Sequence, residues 1–409
     1  VSPAPAQGKN SPWLFGVLAI PWGISYSGLV GLLVPYLLRK HGVSVDRIAE
    51  AVSVASLPLM CSFFVAPIVD LGLPRRIWVL LAAAVTGLLA WAAIVLSSGS
   101  LPFLTLVLFI STVAITLLNS ANGGLMSEVR PEIRGRAGGF YQAGNLGGGA
   151  LGGGGLIWLA DRVNLPWLAF LTALFIMGPA LAALWIEEAP RPKLAIGAQF
   201  SALFHDVKDV LSSSGTWLGL AFFLSPVGAG AVSNLISSVG VDYHATGTQV
   251  AFVTGAGGGL LIAFGALIGG WICDRADRRT TYAVFGLLNA LSAMWLCLGP
   301  AAPFTFATGY SAYALTIGLF NAAYVALILE VLGDRKRGAS TGYAFFSSSG
   351  NVNNSYMTWL DGIGYRHAGA RGLMGTDAAF GGMGGLILFA VARHFVKRQS
   401  TPEPERFKV

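Results

Sequence analysis

Long apolar runs separated by short polar breaks fill almost the whole chain. A helix needs roughly 20 apolar residues to cross the hydrocarbon core of a bilayer. Twelve stretches qualify: 13–38, 48–69, 77–97, 101–127, 139–160, 167–187, 216–240, 247–272, 281–299, 303–330, 340–361 and 374–396. The pattern predicts an all-α integral membrane protein with twelve transmembrane helices. The first run, WLFGVLAIPWGISYSGLVGLLVPYLL, is too long for a signal-peptide core and follows a segment without a cleavage-like pattern, so it reads as a true span.

The runs are not uniformly apolar. FFSSSGNVNNSYMTWL (345–360) sets four serines and three asparagines inside the eleventh span. A polar side chain without a partner in lipid costs free energy, so these groups should face protein or water. Ser347, Asn351, Asn354 or Ser355, and Thr358 recur at spacings of three and four and share one helical stripe. Comparable groups stand in other spans: Trp22, Ser25 and Tyr26 in the first; Thr112, Thr116, Asn119 and Asn122 in the fourth; Gln142 and Asn145 in the fifth; Ser233 and Asn234 in the seventh; Asn321 and Tyr324 in the tenth. Two readings stay open for them, helix-to-helix glue and the wall of a wet chamber. The glycine runs at 144–155 and 255–270 offer bare backbone for close approach or sliding.

Composition sharpens the picture. With 54% hydrophobic and 11% charged residues, the chain is too apolar for an ordinary soluble protein. Its net charge of +7 is distributed for a membrane and not for nucleic acid. Twenty of the 26 Lys and Arg residues fall on the side of the first connection's origin, which places both termini inside the cell. Cys61, Cys273 and Cys297 lack metal-ligand spacing and are expected to be buried and free of disulfides. The five histidines lie at span ends or in loops without an HExxH-like spacing, and no GKS or GKT follows a glycine run. No cofactor, metal or catalytic residue is therefore expected.

The chain repeats itself. NSANGGLMSEV (119–129) aligns with NAAYVALILEV (321–331), and Asp70 and Arg75 align with Asp274 and Arg279. This divides the chain into a bundle at 1–187, a linker at 188–215 whose Phe200 to Leu211 stretch is amphipathic, and a second bundle with a tail at 216–409.

Two parallel six-span repeats and the loop GGWICDRADRR (269–279) resemble the major facilitator superfamily, whose GxxxDRxxRR signature is matched by Gly270, Asp274, Arg275, Arg278 and Arg279. The first copy, APIVDLGLPRR (66–76), departs from it at Ala66, Leu71 and Pro74. A narrower stretch, 31–70, is similar to the peptide and acetyl-coenzyme A transporter group, which includes AmpG-type muropeptide permeases. It carries a GVS turn at 42–44, Leu57 with Pro58 in mid-span, and APIVD. NSANGG in the fourth span departs from that group's acidic motif, which leaves proton coupling open.

The superfamily resemblance implies that spans 1, 4, 7 and 10 line a central cavity flanked by 2, 5, 8 and 11. The expected substrate-binding set is then Trp22, Ser25, Tyr26, Asn119, Asn122, Gln142, Asn145, Asn234, Asn321, Tyr324, Ser347, Asn351 and Asn354. Amides, hydroxyls and aromatic faces suit a polar, hydroxyl- or amide-rich solute. With no Lys or Arg in mid-span, acetyl-coenzyme A fits poorly. The expected gating set is Asp70, Arg75, Arg76, Glu128, Arg134, Asp274, Arg275, Arg278, Arg279, Glu330 and Arg337, with the two aspartates against the N-terminal ends of spans 5 and 11. Asp70, Glu128, Asp274, Glu330 and Asp361 all read as lying near span ends.

The expected protein is a monomeric secondary transporter of a muropeptide, amino-sugar or siderophore-like solute in a bacterial inner membrane, working by alternating access with or without protons. A membrane-embedded enzyme and a non-transporting sensor are its rivals.

Overall fold

The computed structural model describes residues 10–43, 45–70, 73–188, 214–333 and 339–400; the side chains at 45, 46, 49, 214, 215 and 394–400 lie outside the description. Residues 189–213 of the expected 188–215 linker, with its expected amphipathic helix, and Arg337 also lie outside the described residues. The helical segments, in chain order, are α1 (Pro12–Lys40), α2 (45–70), α3 (Arg75–Ser98), α4 (Leu101–Ser127), α5 (134–160), α6 (Leu165–Trp185), α7 (214–243), α8 (Gly247–Cys273), α9 (Arg278–Leu298), α10 (Pro303–Leu332), α11 (339–367) and α12 (370–400).

Proline or a capping side chain sets several starts. Pro12 and Pro303 occupy first turns, where a missing N–H costs nothing. Asn164 accepts from the Trp167 N–H, Asp277 from the Thr280 N–H, and Thr246 with Gln249 closes a reciprocal box. Gly333, at φ 63°, stops α10 in a conformation that suits glycine.

Among the described residues, eight helices are long and apolar enough to cross a membrane, and nine if the bent α2 is one span. The remaining expected spans depart from the pattern for visible reasons. In α5, expected at 139–160, the helix begins at Arg134, and its glycines lower the hydropathy while widening it to π turns over Leu151–Gly155. The expected spans 11 and 12 form one helical stretch bent at Ala368 and Gly369, where Gly369 takes φ 58°. α2 bends by 54° past Met60, just beyond Pro58, whose ring removes an i to i−4 bond. Cys61 sits at that bend and is exposed, against the expectation of burial; Cys273 is buried, and all three cysteines are free thiols.

The largest departure is α7. The sequence reads as one regular span over 216–240, but the helix stops after Phe223 and resumes only for Val232–Leu235. Pro226 breaks the hydrogen-bond ladder, and Gly228 (φ 58°) and Gly230 (φ 70°) take left-handed conformations that no helix contains.

Within the first half, α5 packs on α1, α3 on α4 and α6, and α2 on α4; within the second, α8 packs on α10, and α9 on α10 and on the α11–α12 stretch. The halves meet where α5 lies against α8 and α10, and α11 against α2 and α4. Bulky apolar side chains such as Phe64, Leu88, Trp185 and Phe304 face outward, each more than 60% exposed. That is the outside-in arrangement of a protein whose solvent is lipid.

Candidate functional site

A chamber of about 340 Å³ lies between the halves. Its wall takes Trp22 from α1, Asn119 from α4, Gln142 and Asn145 from α5, Asn321 and Tyr324 from α10, and Ser347, Asn351 and Asn354 from α11. The unwound backbone at Gly228, Ala229 and Gly230 completes it, and none of the described lining residues is charged. Tyr141 and Tyr343 also face it, and the Tyr141 hydroxyl donates to the Asn119 side-chain carbonyl.

Four residues expected on the wall lie off it. From Ile24 to Leu33, α1 widens into π turns closed by i to i+5 bonds. Each such turn holds an extra residue, so spacings of three and four no longer keep one face. Ser25 is buried with its hydroxyl unpartnered, and the Tyr26 ring lies 5.9 Å from that of Trp22. Asn122 is buried and donates to the Leu18 carbonyl at 2.9 Å, fastening α4 to α1. Asn234 donates to Asn354 Oδ1 and Thr358 Oγ1, each at 2.9 Å.

The polar run of α11 thus has three separate tasks. Ser347 and Asn351 face the chamber. Ser348 meets Ser62 of α2 across the halves at 2.7 Å. The third group holds the break in α7: Asn353 donates to the Val227 carbonyl at 3.4 Å, Asn354 to Ala229 at 2.8 Å and Tyr356 to Leu224 at 2.7 Å. Backbone carbonyls freed inside a membrane require protein partners, and α11 supplies them. In α4, by contrast, Thr112 and Thr116 bond back to carbonyls of their own helix.

At one end of the molecule the two halves are joined by hydrogen bonds and ion pairs. Asp70, from α2, accepts from the Thr341 N–H and hydroxyl, both at 2.9 Å, at the start of α11, and pairs with Arg75 at 2.9 Å. Arg75 also donates to Ser340 at 2.9 Å and pairs with Glu128 at 2.7 Å. The second half mirrors this. Asp274, at the end of α8, accepts from the Gly135 N–H at 2.7 Å, the Arg136 N–H at 3.2 Å and the Arg136 side chain at 2.8 Å, at the start of α5. Each aspartate of one half therefore caps the first turn of a helix in the other, where unpaired N–H groups and the helix dipole favour an anion.

Glu330 pairs with Arg278 at 3.4 Å and Arg279 at 3.7 Å, repeating the Glu128 and Arg75 pair. Arg134 donates to the Gly333 carbonyl at 3.2 Å, and Arg278 to the Pro131 carbonyl, both across the halves. Two expected gate residues sit differently: Arg275, just past the end of α8, stacks on Trp271 in its last turn at 3.9 Å, and the Arg76 N–H donates to Glu188 at 3.1 Å. Arg136, Ser340 and Thr341 were not legible as partners, because only the contact across halves gives them a role.

The sequence matches the Major Facilitator Superfamily model over residues 14–352 and 218–408. The chain belongs to that superfamily. This major facilitator protein is a multi-pass membrane transporter and not an enzyme. No curated protein sequence matches it. Its fold is similar to that of the human organic anion transporter MFSD10, at 14% identity and a TM-score of 0.66, covering 92% of this chain and 98% of that one. It is also similar to the proton:xylose symporter XylE bound to 6-bromo-6-deoxy-D-glucose, at 14% identity and 0.68, covering 93% and 94%. A third similar structure is the E. coli fucose:proton symporter FucP, at 16% identity and 0.64, covering 93% and 97%.

Proposed function

We propose that this transporter moves a neutral, polar organic solute by alternating access between two six-helix bundles, in twelve spans joined by the 188–215 linker, and that protons drive it. The observation that carries this reading is the chamber: both halves line it with amides, hydroxyls and aromatic rings, and no charged side chain is among the described lining residues. Such a wall can exchange hydrogen bonds with hydroxyl or amide groups but offers a charged solute no counter-ion. The two proton symporters of similar fold, for xylose and fucose, agree with a hydroxyl-rich cargo.

A volume of about 340 Å³ lies near the lower end of small-molecule sites, about 300–1,000 Å³. In this state the chamber suits a monosaccharide, an amino sugar or a dipeptide better than a muropeptide. The AmpG-type assignment rests on residues 31–70 alone, and a larger cargo of that group would need the chamber to widen.

Asp70, Arg75, Glu128, Arg134, Asp274, Arg278, Arg279 and Glu330 act in this reading as the gate, with Arg337 as a further candidate. The distribution of Lys and Arg sets this end in the cytoplasm, with both termini, so the seal makes this the outward-facing state. A monomer in a bacterial inner membrane suffices for the cycle.

Uptake into proteoliposomes tests the reading. Labelled neutral sugars, N-acetylated amino sugars and dipeptides should enter faster under an inward proton gradient. Uptake confined to organic anions, or none for any polar solute, would overturn it.

A further inference from the structure

Asp361, two turns past the chamber residue Asn354 on α11, and Asp377 of α12 form a buried acidic pair, 0% and 4% exposed. Their helices turn back on each other at Ala368 and Gly369, and Gly364 lies so close to Gly372 that a Cβ on Gly364 would meet the Gly372 carbonyl oxygen at 2.5 Å. That close approach brings Asp361 within electrostatic reach of Asp377. Neither oxygen of Asp361 has a hydrogen-bond partner, and among the described residues no Lys, Arg or His forms an ion pair with either acid.

A second buried group points to the same place. The Tyr313 side chain of α10 is 0% exposed; its hydroxyl makes no well-formed hydrogen bond but lies toward Asp377 and the Val232 backbone and within electrostatic reach of Asp361. The other titratable groups around the pair are Tyr310 on α10, Tyr243 on α7, which donates to the Leu296 carbonyl, and Cys297 on α9, whose thiol meets the Arg371 carbonyl. Arg371 itself is exposed.

Two carboxylates without a counter-charge in an apolar bundle cannot both stay ionised; a proton on one lets it donate to the other and halves the buried charge. We infer that the Asp361 and Asp377 pair binds the coupling proton of this transporter and passes its state to the chamber through α7. The path is short. Asp361 follows Thr358 and Asn354 on one stripe of α11, at spacings of three and four; Asn354 holds the unwound stretch that lines the chamber, and both bind Asn234 just beyond it. Tyr313 lies against the backbone of Val232 in that same broken segment. The transfer is simple: a proton from solvent forms an O–H bond on one carboxylate in one state and leaves from it in the other, with no redox change.

This inference rests on the transport reading, so its test needs no substrate. Infrared difference spectra of the full-length protein in lipid, recorded across a pH titration, should show a protonated-carboxyl C=O band that shifts in heavy water. The band should be lost in both Asp361→Asn and Asp377→Asn, and kept in Asp161→Asn, an acid on an exposed loop. Proton uptake measured with a pH dye should fall by about one per chain in the two variants. If either variant fails to fold, the other decides, and Tyr313→Phe should move the band without removing it. A band unchanged in both aspartate variants would overturn the inference, as would displacement of the wild-type band by sodium at fixed pH, which would make the ligand a sodium ion. Absent solute uptake with an intact, variant-sensitive band would overturn the transport reading alone.

Discussion

Asn354 donates its amide to the Ala229 carbonyl at 2.8 Å while its own carbonyl accepts from Asn234 at 2.9 Å. One side chain of α11 thus satisfies a backbone group released by the break in α7 and receives a second side chain from the same segment. Asn354→Ala strands the Ala229 carbonyl and leaves Asn234 only its bond to Thr358, a loss of about 1–2 kcal/mol. A lower melting temperature in detergent is the expected result. Ser355→Ala, whose hydroxyl bonds only to its own helix at Asn351, should leave melting nearly unchanged.

The seal should be separable from the fold. Asp274→Asn keeps the shape of the side chain but gives up the charge that attracts Arg136 and the first turn of α5. A loss of about 1.4 kcal/mol at this interface shifts the balance of states tenfold. With Asn321→Cys as reporter in a background lacking the native cysteines, an impermeant maleimide should label the chamber about tenfold faster from the Asp274 end. Equal rates with and without the substitution would show that the aspartate does not hold the halves together.

Steric pressure should act in the same direction as charge removal. A Cβ at Gly270 would lie 2.5 Å from the Gly135 carbonyl oxygen and 2.9 Å from the Gly139 Cα, all across the α8 and α5 contact. Gly270→Val therefore penalises the joined arrangement while leaving packing inside each half largely untouched. The same labelling assay should show faster modification than for Gly270→Ala. A protein that aggregates instead would place the glycine in the fold and not in the seal.

At the far end of the first half, Asp161 joins Tyr36 and Lys40, at 2.7 Å and 3.3 Å. The Tyr36 hydroxyl, and after it the Lys40 ammonium, hold this exposed carboxyl below the usual carboxylate range. A lowered value in the folded state means that the link stabilises above the ordinary carboxylate range and is lost as pH falls through the lowered value. The melting difference between wild type and Asp161→Asn should stay flat and small around neutrality and vanish only in acid. A difference that changes near neutral pH would contradict this assignment.

The fold was legible in proportion to the regularity of each helix. Apolar length located α3, α4, α6, α9 and α10, and the loop signature with Asp274 pointed to both aspartates that bridge the halves, because sequence repeats mark both copies. Irregularity hid the rest. Pro226, Gly228 and Gly230 announce a turn, yet the apolar residues around them read as one continuous span. The π turns of α1 moved Ser25 and Tyr26 off the face that helical spacing gives them. Asp361 read as a span end because its helix continues six residues further, to 367, through glycine and polar residues, and Asp377 drew no attention until the bend at Gly369 folded it against its partner. For the polar residues of 345–360, spacing recovered a stripe but not the division of labour within it, since that depends on carbonyls freed in another helix.

The break in α7 has no counterpart in α1, its equivalent in the first repeat, which stays helical throughout despite its wide turns. Sequence duplication has therefore not left mechanical duplication. One half can move as a stiff body, while the other contains a joint beside the cargo that can flex on its own. A cycle built on such unequal partners would begin with a local yielding on the second-half side, and the larger swing of the halves would follow it.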